Sequence, residues 1–133
     1  MISEAQRGHN LVISLLPGEF AVCRLAPDAG VPDWVGGSLF TVMRTAEELS
    51  IVCEASRVPA TVQHTAGWRA LKLHGPFDFG LTGVLASVLN PLAAAQVSIF
   101  ALSTYDTDYV LVPQRQVEPA SVALRAAGHT VLA

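Results

Sequence analysis

The strongest constraint in this sequence is an ordered change of hydrophobic period across its second half. WRALKLHG (Trp68–Gly75) sets Trp68, Ala70, Leu71 and Leu73 against Arg69, Lys72 and His74, an alternation that suits a strand with one wet face. After the turn-rich GPFDFG, the stretch Leu81–Ala95 places Val84, Leu85, Val88, Leu89 and Leu92 at helical spacing. The opposite face, Gly83, Ala86, Ser87, Asn90 and Ala94, is built of small residues, so this helix can lie close to another backbone. Pro91 lacks an N–H, which predicts a bend or an early end near Ser87–Asn90. VSIFALS (Val97–Ser103) and DYVLV (Asp108–Val112) are rich in strand formers, and the polar Thr104–Thr107 between them makes a hairpin. In PQRQVEPASVALRAAG, Val117, Ala120, Leu124 and Ala127 share a face and Gly128 offers a stop. This second helix starts either after Pro113 or at Pro119 in a first-turn position. HTVLA ends the series as a short strand.

The resulting order, β-α-β-β-α-β, is that of an α+β, ferredoxin-like unit with two helices on one face of a four-stranded antiparallel sheet. The first half carries the same ingredients in reduced form. LVISLL, FAVCRL, SLFTVMR and LSIVCE read as strands, joined by PGE, APDAGVPD and TAEE as turns or a single helical turn around Asp33–Val35. An offset of 59 residues lays RTAEELSIVCE (Arg44–Glu54) over STYDTDYVLVP (Ser103–Pro113), so that Thr45 meets Thr104 and Ile51-Val52 meet Val110-Leu111. The expectation is two βαββαβ units in tandem, residues 1–64 with degenerate helices and residues 65–133, with Pro59–Gly67 as the linker.

The chain has 133 residues, 51% of them apolar and 14% charged, and its mean hydropathy is +0.43. Such a composition excludes disorder and leaves little polar surface, which points to a partner surface, most simply a homodimer. Eight basic residues against eleven acidic ones give a net charge of −3, and the basic residues are scattered, so nucleic acid is not an expected partner. Neither is a membrane, because the longest nearly apolar window, Leu81–Ala95, is interrupted and falls short of the ~18 residues of a span. MISEAQRGHN lacks the basic start of a signal peptide, and the default location is cytoplasmic. Cys23 and Cys53 sit inside apolar stretches and read as buried free thiols in a reducing compartment, ahead of a disulfide or a nucleophile.

Catalytic and metal-ligating patterns are scarce. His9, His64, His74 and His129 never fall at i, i+4 spacing and read as surface or edge-strand residues. There is no GxSxG, HExxH, P-loop or GxGxxG, and neither a metal nor another cofactor is expected. Two local features stand out. In GPFDFGLTGV (Gly75–Val84) a strand gives way to a helix through several glycines; a helix start leaves backbone N–H groups unpaired and suits a carboxylate or phosphate, while glycine admits a ligand close to the backbone. The competing reading is a capped turn with Asp78 or Thr82 as the N-cap. In STYDTDYVLV, Asp106 and Asp108 at i, i+2 can hold an ammonium group, or simply serve a β-turn. An anion site and a cation site brought together where two units pair would describe an α-amino acid.

The residues Leu73–Val112, LHGPFDFGLTGVLASVLNPLAAAQVSIFALSTYDTDYVLV, resemble the ACT-domain family, in particular small bacterial tandem-ACT proteins. LLPGEFAVCRL and RTAEELSIVCE resemble the first half of the same proteins, so the likeness runs from about Leu11 to the last residue. The repeat is also similar to the units of the CASTOR-type cytosolic arginine sensors. ACT domains pair side by side and bind amino acids at the interface. The resemblance assigns the ligand's carboxylate and backbone to Gly80, Leu81, Thr82, Gly83 and Val84. It matches Asp108 to the position that contacts a ligand's basic groups, and Ser50 and Ile51 to the strand facing the turn. Asp106 is added from its charge and position. Arginine itself does not carry over, because this chain is about half the length of those sensors.

The expected function is therefore a non-enzymatic regulatory module that binds a small amino acid at an ACT–ACT interface. The alternatives are an oligomerisation domain without a ligand, and an isomerase or hydrolase on the same fold using His74, Asp78 or Tyr105.

Overall fold

Both expected hairpins form, and they form in the same register. In the computed structural model, which describes residues 9–75 and 82–133, the strands are β1 (Val12–Leu15), β2 (Phe20–Leu25), β3 (Thr41–Arg44), β4 (Leu49–Glu54), β5 (Gln63–Leu73), β6 (Phe100–Ser103), β7 (Asp108–Pro113) and β8 (Thr130–Leu132). The helices are α1 (Val84–Ala94) and α2 (Val117–Ala126), with 3-10 turns at Ala55–Arg57 and Gln114–Gln116. β3, β4 and the first 3-10 turn coincide residue for residue with β6, β7 and the second one at an offset of 59. The turns match in chemistry too. Thr45 N–H donates to Glu48 O (2.9 Å) while Thr45 Oγ1 accepts from Glu48 N–H (3.2 Å). Likewise Thr104 N–H donates to Thr107 O (2.8 Å) and Thr104 Oγ1 accepts from Thr107 N–H (3.2 Å). A threonine at the first position of each loop closes it on both sides.

The chain divides into two compact units, one continuous (Gly18–Trp68) and one discontinuous, made of the segment ending at Pro17 together with Arg69–Ala133. In the continuous unit the strand order is β3-β4-β2-β5, with residues 63–68 of β5 at one edge and every neighbouring pair antiparallel. This is the βαββαβ order without its helices. Pro27, Gly30, Pro32, Gly36 and Gly37 prevent a helix between β2 and β3. Instead Ala29, Trp34 and Val35 from that irregular stretch, with Ala55, Val58 and Val62, cover a core of Ala21, Cys23, Leu49, Ile51 and Cys53.

The discontinuous unit has the order β6-β7-β5-β1-β8, and α1 and α2 cover one face. Ile13, Leu71, Leu73, Val110, Val112 and Val131 from the strands meet Val84, Val88 and Leu92 of α1 and Ala120 and Leu124 of α2 in a single core. The fold is thus the expected α+β, ferredoxin-like one, with the expected loss of helices in the reduced unit.

Several expectations are corrected. LVISLL does not belong to the reduced unit: β1 lies antiparallel to β5 through Ile13–Leu73 and parallel to β8 through Ile13–Val131. It enters between the first and last strands of the other βαββαβ repeat, because its buried Leu11 and Ile13 complete that core. The expected boundaries 1–64 and 65–133 therefore do not coincide with the observed division, which falls after Trp68. β5 begins at Gln63 within the expected linker, where Gln63, His64 and Thr65 pair with Arg24, Cys23 and Val22. Backbone pairing outweighs the polar composition there, and Gly67, at φ 84°, takes up the irregularity in register. Pro91 does not end α1, which runs through it to Ala94. The Ser87 carbonyl that a residue at 91 would normally engage takes a hydrogen bond from His129 Nε2 instead (2.9 Å). His129 is accordingly buried, against expectation, and its Nδ1 accepts from Leu11 N–H (3.1 Å). For α2, Gln116 is the N-cap, so Pro119 lies in the first turn, where its missing N–H costs no bond.

Candidate functional site

The helix start singled out in the sequence is partly described. Gly80, Leu81 and the alternative cap Asp78 lie outside the described residues, so neither the expected ligand contact of the first two nor a cap from Asp78 is addressed. Thr82 is exposed, and its carbonyl meets His9 Nε2 at 2.9 Å. Gly83 is the N-cap, at φ 81° and ψ 0°, without any side-chain cap bond. Only glycine adopts that left-handed geometry without strain, and having no side chain it caps none of the first amides of α1 itself. Val84 turns its side chain into the core and could offer a ligand only its backbone.

The two aspartates of the hairpin have different surroundings. Asp106 is exposed in the bend before β7, whereas Asp108 opens β7 directly opposite Ser103 and accepts a hydrogen bond on Oδ1 from the Ser103 hydroxyl. Ser50 and Ile51 belong to β4 of the continuous unit, Ser50 half-buried and Ile51 in that unit's core.

Within the discontinuous unit Asp106 lines an open cavity of about 290 Å³ together with Lys72, His74, Gly75 and Thr107. The strand period explains how it forms. Leu71 and Leu73 point into the core, so Lys72 and His74 stand on the opposite face of β5, next to Ser14 of β1, whose Cα pairs with that of Lys72. Ser14 Oγ and His74 Nε2 are 2.6 Å apart, which fixes the imidazole at the strand end. The hairpin is held against that end by the hydrogen bond from Thr107 Oγ1 to Leu73 O. Among the described residues the one ion pair is Arg24–Glu48 (3.6 Å), so Lys72 and Asp106 carry opposite charges on one cavity without neutralising each other.

Of the residues on this cavity, sequence reasoning singled out Asp106 for a ligand and His74 only for the enzymatic alternative, and it did not single out Lys72 or the neighbouring Ser14. The alternation that put Lys72 and His74 on a wet face was the available signal; the Ser14 contact, across 60 residues, has no local one.

The thiols lie elsewhere. Cys23 and Cys53 are free and buried in the core of the continuous unit. Burial, with a smaller contribution from Cys53, pushes the Cys23 thiol up to about 11, and burial likewise raises Cys53. Both stay protonated and unreactive at neutral pH. Among the described residues no group of three or more His, Cys, Asp or Glu side chains gathers as a metal site.

The family model of the ACT domain matches residues 63–126, and a second model, of an N-terminal domain, matches residues 18–61. The chain is 37% identical to protein Atu0741 from Agrobacterium tumefaciens, with 92% of each chain covered and a TM-score of 0.88. It is 29% identical over 97 residues to "Cytosolic arginine sensor for mTORC1 subunit 1" from Rattus norvegicus; this covers 67% of the chain but only 29% of that relative's length. Aspartokinase alpha and beta subunits share the fold, with a TM-score of 0.60 at 15% identity.

Proposed function

The chain belongs to the ACT-domain family, and on that premise we propose that it is a regulatory module that binds a small amino acid. The observation that carries this reading is the cavity between β5 and the β6–β7 hairpin, where an ammonium and a carboxylate face open space without pairing. About 290 Å³ lies at the lower end of ligand pockets and suits a molecule of amino-acid size. Asp106 accepts the ligand's ammonium, while Lys72 offers a place for its carboxylate. The relative from rat is named an arginine sensor, which supports an amino acid as the class of ligand.

Regulation requires that the ligand bind one arrangement of the protein better than another, and an interface between two ACT chains gives it one to select. A homodimer belongs to this proposal, supported by the low share of charged residues. So does a cytoplasmic location: the rat relative is named cytosolic, and among the described residues no helix is long and apolar enough to cross a membrane. The reading gives the chain no catalytic step.

A thermal-unfolding screen against the common amino acids tests it. A ligand at one hundred times its Kd adds about 2.7 kcal/mol to stability. Asp106→Asn should remove that gain and leave the unliganded midpoint within about 0.5 kcal/mol, as for an exposed side chain. Asp108→Ala is expected instead to lower the unliganded midpoint by about 1 kcal/mol through loss of the Ser103 bond. That bond favours a second reading, in which the hairpin is only structural and the module only oligomerises. If no amino acid raises the midpoint of a protein that sediments as a dimer, the second reading replaces the first.

A further inference from the structure

Resting on the amino-acid reading above, we infer that the ligand is a neutral amino acid with an apolar side chain, which lies on Val12 and Leu132 beside the cavity. The charges of the cavity supply the first half of the argument. Its lining holds one carboxylate, Asp106, and one ammonium, Lys72. The ligand's own ammonium and carboxylate match both, so a charged side chain would find no opposite charge left over on the lining. His74, the other nitrogen group there, is already engaged through Nε2 with Ser14 Oγ.

The strand registers supply the second half. Ser14 of β1 pairs with Lys72 on one side and with Leu132 on the other, so these three residues form one row across the sheet. One step along, His74 N–H donates to Val12 O (2.9 Å) and Val12 pairs with Thr130, which makes a second row. Val12, Ser14, Lys72 and Leu132 stand on the face opposite Ile13, Leu73 and Val131, whose side chains meet α1 and α2 in the core. On that helix-free face Val12 is 42% and Leu132 48% exposed, and both adjoin the side chains that line the cavity. Neighbouring strands lie about 4.8 Å apart, so this apolar pair occupies the first and second strands beyond Lys72, on the side away from the hairpin that carries Asp106. An amino acid whose ammonium meets Asp106 and whose carboxylate meets Lys72 extends its side chain over β1, where an aliphatic chain covers Val12 and reaches toward Leu132. Removing that pair from water favours an apolar side chain. The Ser14 hydroxyl between them is engaged by His74, so a side-chain amide has less to gain there.

Calorimetric titration of the full chain with L-leucine, L-isoleucine, L-methionine, L-alanine, L-asparagine, L-glutamine, L-glutamate and L-arginine tests the inference without any variant. The expected result is that the best of leucine, isoleucine and methionine binds about tenfold tighter than asparagine or glutamine, and that glutamate and arginine bind weakest. Val12→Thr, which keeps the shape and adds a hydroxyl, and Leu132→Asn should each weaken leucine binding by about threefold to tenfold while alanine affinity stays within about twofold. Circular dichroism on each variant verifies that the fold persists. If an amide or a charged amino acid binds best, or if both variants bind leucine as the original chain does, the inference is overturned and the amino-acid reading survives. Sedimentation of the same variants separates the other use of an apolar face, contact with a second copy: substitutions that dissociate a dimer without changing leucine affinity also overturn it. If none of the common amino acids binds, the broader reading fails and takes this one with it.

Discussion

The two units of this chain share a strand plan and differ in what covers it. β3–β4 and β6–β7 coincide at an offset of 59, down to a threonine that closes each turn. Over the core of one unit lie two helices; over the core of the other lie Trp34, Val35 and Ala29 from an irregular stretch and a 3-10 turn. The lesson is that strand order and register do not depend on helices. They depend on turns that fix pairing and on any apolar layer able to keep water from the buried face.

The comparison can be broken most decisively at the covering layers. Leu92→Ala, fully buried in α1, should cost about 3 kcal/mol in urea unfolding. Trp34→Ala in the half-buried loop should cost about 2 kcal/mol if that loop does the work of a helix. A cost below about 0.5 kcal/mol at Trp34 would mean that the irregular stretch is ornamental and the reduced core is sealed otherwise. At the turns, Thr45→Ala and Thr104→Ala should each cost about 1 kcal/mol, and by equal amounts if the two hairpins are equivalent as folding units.

The smallest effect sharpens a contrast within the helical unit. Both helices end in the same hydrogen-bonded reversal, with Val97 N–H reaching Leu92 O and His129 N–H reaching Leu124 O. α2 uses Gly128 at φ 99° for the left-handed position, but α1 uses Gln96 at φ 60°. Gln96→Gly should therefore raise stability by up to about 1 kcal/mol, read as a higher melting temperature. Gly128 is not free to change in return, since at φ 99° any L side chain is strained whatever space surrounds it.

How much of this was legible in the sequence follows from the range of the interactions involved. The hairpins, both helices and the repeat rest on spacing within a few residues, and period and turn chemistry declare them. The insertion of β1 beside β8 and the passage of α1 through Pro91 rest on partners far along the chain. For Pro91 the decisive group is a histidine ring that replaces a missing amide, and no local pattern announces it. The candidate site divides in the same way. Asp106 and the glycine turn were visible as chemistry in one stretch, whereas Lys72 and His74 became meaningful for a ligand only once β1 and the hairpin flanked them.

The insertion of β1 also dictates an order of events when the protein is made. Gly18–Trp68 is contiguous, so it can form its sheet as soon as it leaves the ribosome. β1 precedes it in the chain yet lies between β5 and β8, so it gains its last partner only when Thr130–Leu132 has been synthesised. During that interval Leu11 and Ile13 wait without their core, exposed to any other strand edge nearby. A fragment starting at residue 65 would have the same defect permanently, for it lacks the strand that should lie between its own first and last ones.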